Sequence, residues 1–156
     1  VPVVIEPVSV AKADRLAPLL SPERAILAVT PNVAELAALV GADVPDTAEA
    51  VADASAALHR LGVRHVWTRR GPLPSVLSTM GAPIVTVDPP AVPVVDVTGG
   101  GDAMTAGFAH CLLRGETAQD AARFGQMLGA LTVTTPDTVL ADLSDRTVRQ
   151  ALAGRR

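Results

Sequence analysis

Short apolar runs alternate along this chain with longer stretches bounded by helix caps and glycine stops, and this alternation constrains the fold more than any other feature. Val3 to Ile5 and Ala25 to Val29 lack the every-second-residue polarity of a half-exposed strand, so they read as strands buried on both faces. Val63 to Thr68 reads as a third strand. Between them, Val10 to Leu20 and Pro31 to Val40 read as helices, the second stopped by Gly41. Asp46-Thr47-Ala48-Glu49 has capping-box spacing with Asp46 as the cap, and opens a helix to about Leu61. Strands around Ser75 to Thr79 and Pro83 to Val87 are expected to form a hairpin across Met80-Gly81-Ala82. Helices are expected over Asp102 to Arg114, Ala118 to Leu131 and Asp145 to Ala153. The pattern predicts one α/β domain over residues 1–156, a mostly parallel sheet covered by helices on both faces. Aromatic residues make up only 2% of the chain and tyrosine is absent, so Ala, Val and Leu must build the core around Trp67 and Phe108.

The segment Asp96-Val97-Thr98-Gly99-Gly100-Gly101-Asp102 leads directly into one of these helices. Three glycines allow backbone amides to turn toward a ligand, and the helix start adds unpaired N–H groups and partial positive charge. Such a loop can hold phosphate. It can equally be a simple turn or helix lead-in. No Lys-Ser or Lys-Thr follows, which excludes a Walker loop, and Met104 stands where a dinucleotide fingerprint needs its third glycine. A carboxylate at the mouth of an anion hole, Asp102, makes chemical sense as the acceptor of a proton from a hydroxyl that attacks the phosphate.

The loop resembles the signature of the ribokinase-type (PfkB) carbohydrate kinases, an Asp-Thr-x-Gly-Ala-Gly-Asp segment running into a helix. Val97 and Gly100 depart from it mildly, because the loop acts through backbone amides. Thr30-Pro31-Asn32-Val33-Ala34-Glu35-Leu36 supplies a second family element, the Asn-x-x-Glu pattern. Val3-Val4-Ile5-Glu6-Pro7-Val8-Ser9, with Ala11-Lys12, and Thr134-Thr135-Pro136-Asp137-Thr138-Val139 are similar to the pseudouridine kinase branch. The resemblance implies a ribokinase-like fold and ATP-dependent phosphorylation of a sugar or nucleoside. It implies that Asp102 is the catalytic base and that the amides of Gly99, Gly100 and Gly101 hold phosphate, with Thr98 a loop hydrogen-bonder. Asn32 and Glu35 then order magnesium-bound water, although Asn and Glu are also favoured simply as helix-start residues. Asp96 resembles the ligand of a monovalent cation such as potassium, with a turn-stabilising aspartate as the alternative. Arg70 and Gly71, in Arg69-Arg70-Gly71-Pro72, resemble the segment beside ATP, although Pro74 replaces the usual later glycine. Gln126 falls where the family places an Asn near the adenine, and otherwise reads as an exposed helix residue. The resemblance covers only the C-terminal half of family members. It implies that the N-terminal strands, the acceptor-binding residues and the lid are missing.

A net charge of −3 without a basic run argues against a nucleic-acid partner. One cysteine, Cys111, permits no internal disulfide and is expected in the core of a protein from a reducing cytoplasm. No stretch has the roughly 20 apolar residues that span a bilayer, and no signal peptide is read. His59, His65 and His110 lack metal-ligand spacing. Three readings remain open at this point: a kinase, a nucleotide-binding module without turnover, or a half-domain completed by another chain or a second copy.

Overall fold

The computed structural model describes residues 1–137, 139 and 142–154; Thr138 of the phrase quoted above lies outside them. The chain resolves into two compact units, Val1–Thr86 and Val87–Arg156.

The first unit carries β1 (Val4–Ile5), α1 (Val10–Leu16), β2 (Ile26–Val29), α2 (Val33–Val40), α3 (Ala48–Arg60), β3 (Val63–Arg70) and β4 (Leu73–Thr79); β5 (Val85–Val87) follows at its end. The strands form one sheet in the order β1-β2-β3-β4-β5. β1/β2 and β2/β3 are parallel and β3/β4 is antiparallel, so the sheet is mixed rather than mostly parallel. The reason is a tight turn at Gly71-Pro72, which leaves no room for a crossover. That hairpin was not expected from the sequence. β5 does lie beside β4, as its position after Met80-Gly81-Ala82 requires.

Proline and side-chain caps set the helix ends. α1 stops at Leu16 instead of continuing to Leu20, because Pro18 has no N–H to donate; Ala17–Leu19 tightens into a 3-10 turn. Asn32 caps α2 and Gly41, in the left-handed region at φ 65°, ends it. α3 is capped by Thr47, whose side chain accepts the Ala50 N–H at 3.2 Å, and not by Asp46. Asp46 is drawn instead to Arg70. Val29 on β2, Val66 on β3 and Val76 on β4 pack with Leu36 of α2 and Val51 and Leu58 of α3 in the core of this unit.

The second unit contains α4 (Gly100–Leu113), α5 (Ala118–Thr132) and α6 (Asp145–Ala153). Glycines bring α4 and α5 into close contact. A Cβ at Gly107 would lie 2.9 Å from the Gly125 Cα, and one at Gly129 would lie 3.0 Å from the Gly100 carbonyl oxygen. Phe108 and Cys111 are buried on α4, and Val148 buries α6. The sheet with helices packed on it is the expected α/β class.

Candidate functional site

β1, β2 and β3 run parallel, so their carboxyl ends share one edge of the sheet, the usual location of ligands in α/β folds. Four polar side chains meet there. Glu6 follows β1, Thr30 follows β2, Glu35 lies in the first turn of α2, and Arg69 is near the end of β3. The Thr30 hydroxyl donates to Glu6 Oε2 at 2.7 Å. Arg69 Nη2 donates to the Glu6 carboxylate and, at 3.3 Å, to Glu35 Oε2. The Arg69 N–H donates to the Pro31 carbonyl at 2.8 Å, which ties the strand end to the loop that carries Asn32.

Asn32 and Glu35 form a reciprocal capping box. The Glu35 N–H donates to Asn32 Oδ1 and the Asn32 N–H to Glu35 Oε2, both at 2.9 Å. The helix-start role weighed for these residues is therefore present. It leaves Glu35 Oε1 accepting no hydrogen bond among the described residues. Glu35 is only 3% exposed and its other oxygen accepts two hydrogen bonds, so Oε1 is a rigidly held acceptor.

Arg70 takes no part in this cluster. Successive strand residues point to opposite faces, and its guanidinium donates to Asp46 Oδ1 (2.5 Å), the Asp46 carbonyl (2.7 Å) and the Pro74 carbonyl (3.2 Å). It fastens the β3–β4 turn to the start of α3. Gly71 forms that turn and is exposed. The resemblance implies Arg70 beside ATP; the residue the fold places beside Glu35 is Arg69. Nothing local in the sequence marks Arg69 over Arg70, because the choice is made by the parallel bridge between Asn32 and Arg69.

In the second unit the glycine loop leads directly into α4. Gly99 is the N-cap of α4 with φ 79° and ψ −11°, a conformation that strains any residue with a Cβ. The helix starts at Gly100 instead of Asp102, so Gly100, Gly101 and Asp102 all lie in its first turn. The Gly100 N–H donates to the Val97 carbonyl at 3.2 Å, whereas the amides of Gly101 and Asp102 donate to nothing among the described residues. Asp102 is exposed beside them. Asp96 Oδ1 accepts the Thr98 N–H at 2.8 Å, and hydrogen bonds from Thr98 hold its carboxyl below the usual carboxylate range. This is the turn-stabilising arrangement considered for Asp96.

Gln126 is not an exposed helix residue. It is 7% exposed and lines an open cleft of about 790 Å³ with Val87, Asp88, Arg123, Phe124 and Leu152. The glycine loop lines no part of that cleft.

The histidines have structural partners. His59 bridges the Val63 carbonyl and the Ser78 hydroxyl, His65 meets Thr79, and His110 pairs with Asp145. Among the described residues no group of three or more His, Cys, Asp or Glu could hold a metal directly. No helix among the described residues is long and apolar enough to cross a membrane.

Residues 6–145 match the model of the pfkB family carbohydrate kinases. The chain is 37% identical over 106 residues to a ribokinase of Arabidopsis thaliana, covering 67% of this chain and 28% of that protein. It is 41% identical over 107 residues to a 1-phosphofructokinase of Rhodobacter capsulatus, covering 66% and 33%. The solved structure of Arabidopsis thaliana ribokinase complexed with ribose and ATP aligns with a TM-score of 0.75 at 29% identity, over 97% of this chain and 47% of that one. This chain thus spans less than half the length of each. A family match across most of the sequence, together with the Asn-x-x-Glu cap and the glycine-led helix seen here, makes the chain a member of the pfkB family of carbohydrate kinases.

Proposed function

We propose that this chain is the C-terminal, nucleotide-binding and catalytic portion of an ATP-dependent kinase that phosphorylates a hydroxyl of a sugar or nucleoside, a pseudouridine-like acceptor being favoured. The observation that carries this reading is the start of α4: unpartnered amides at Gly101 and Asp102 beside an exposed carboxylate. Amides fixed in place stabilise charge on a transferring phosphoryl group without reorganising as it moves. Asp102 orients the acceptor hydroxyl and takes its proton as the new O–P bond forms and the bond to the bridging oxygen of ATP breaks. Such a loose transition state needs positioning more than a strong base.

Gly99 gives the loop its shape, and Thr98 with Asp96 holds the approach to it; Asp96 is the candidate contact for potassium. Magnesium, when bound, would offset phosphate charge. The bare Oε1 of Glu35 suits a role through magnesium's retained water rather than direct ligation, and Asn32 keeps Glu35 in place. Gln126 in its cleft is the candidate contact for the nucleotide base. The pseudouridine preference rests on the phrases around Glu6 and Thr134. The reducing cytoplasm is the compartment that fits a single buried cysteine.

The test is ATP consumption by the protein, with magnesium and potassium, against pseudouridine, ribose, fructose and common nucleosides. Acceptor-dependent turnover that Asp102→Asn abolishes is the expected result. Turnover unchanged in that variant overturns the assignment of the base. Binding of ATP without any phosphorylated product favours the nucleotide-binding module instead.

A further inference from the structure

We propose that Arg69 is a positioning residue for the magnesium–nucleotide complex: it holds Glu35 so that one carboxylate oxygen stays available to metal-bound water. The inference rests on the kinase reading above and deepens it. The Arg69 guanidinium touches two carboxylates from different elements, Glu6 after β1 and Glu35 on α2. Both hydrogen bonds that Glu35 accepts, from Arg69 and from the Asn32 N–H, fall on Oε2. Oε1 is therefore left bare by geometry rather than by chance rotation. Glu6 is fixed in turn by the Thr30 hydroxyl, and the Arg69 backbone by the Pro31 carbonyl.

Charge supports the same role. Glu6, Glu35 and Arg69 carry a net charge of −1, which attracts a hydrated cation while sparing two shielded carboxylates from facing each other alone. The side chains of Glu35 and Arg69 are 4% and 14% exposed, so water screens this balance weakly. Arg69 Nε is buried without a partner, as is the neighbouring Thr68 Oγ1. Buried donors are rarely left in that state, and the guanidinium is held by Nη2 through its two carboxylate contacts. A guanidinium can serve two carboxylates at once, whereas an ammonium is a single point charge.

The experiment measures ATP affinity calorimetrically for wild type, Arg69→Lys and Arg69→Met, first in chelator and then across a magnesium titration. Thermal melts confirm folding, and the Lys variant carries the test if the Met variant does not fold. The expected result is a rise of about tenfold in half-saturating magnesium for Arg69→Met, the scale typical of lost outer-shell support, and a smaller rise for Arg69→Lys. Affinity for metal-free ATP should stay within about twofold, because a positioning role acts through the metal. Equal losses with and without magnesium would make Arg69 a general structural staple and overturn the proposal, as would an unchanged magnesium dependence. Wild type that binds no ATP under either condition would overturn the kinase reading itself, and the inference with it.

Discussion

Replacing Gly107 with alanine sets two opposed effects against each other. In an isolated helix the change is favourable by about 1 kcal/mol, since alanine loses less backbone entropy. In this fold the added Cβ would sit 2.9 Å from the Gly125 Cα, 3.1 Å from Leu128 Cδ2 and 3.2 Å from Phe124 Cδ1. Ordinary contact begins at 3.4 Å, and the nearest of these atoms is backbone, which cannot rotate away. α4 and α5 must therefore separate by roughly half an ångström, an overpacking strain of about 1–3 kcal/mol. The balance is a net loss of about 1 kcal/mol, or about 2–4 °C in Tm for a protein of this size. Gly100 packs against Val133 on the same helix pair, so the turn proposed to hold phosphate shifts with α4, and on that proposal ATP affinity should fall as well. Gly154→Ala is the control: its Cβ would meet Gln150 O at 3.6 Å and Ala151 O at 4.0 Å, both ordinary contacts, and φ there is −72°. Urea and thermal denaturation of the two variants decide the matter. Unchanged or increased stability in Gly107→Ala would show that helix propensity outweighs the close approach, and the packing argument would be wrong.

Burial lowers the His65 pKa from 6.5 to about 4, helped by the nearby positive charge of Arg64. The unfolded chain takes up a proton below about pH 6.5 while the folded chain does not, so stability should decline with acid from there to about pH 4. His65→Gln should flatten that part of the stability–pH curve in denaturant titrations, and an unchanged slope would rule His65 out as its source. Asn32→Ala removes the acceptor for the Glu35 N–H and should cost about 1 kcal/mol in urea denaturation, whereas Asn32→Asp keeps a cap and should recover most of it. Burial pushes the Cys111 thiol up to about 11, so a disulfide reagent at pH 8 should react slowly with native protein and rapidly in urea; equal rates would contradict the buried placement.

The glycine-led start of α4, the Asn-x-x-Glu cap and the Gly41 stop were legible in the sequence because each is local: the residues that make the feature lie within a turn or two of one another. Features that depend on distant partners were not. Asp46 looks like a cap beside Glu49 until Arg70, 24 residues away, claims its carboxylate, and then Thr47 takes over. The antiparallel β3–β4 pair was obscured by Arg69, Arg70 and Pro74, none of which advertises a strand. Glu6 and Arg69 are 63 residues apart and carry no shared periodicity. Their contact follows from the parallel order of β1, β2 and β3, which sets their carboxyl ends side by side. The sequence alone determined which short segments begin and end helices, since capping and backbone freedom act over a few residues. Only the tertiary structure decided which charged side chains meet and which oxygen of Glu35 stays bare, because electrostatic pairing depends on distance in space and not along the chain.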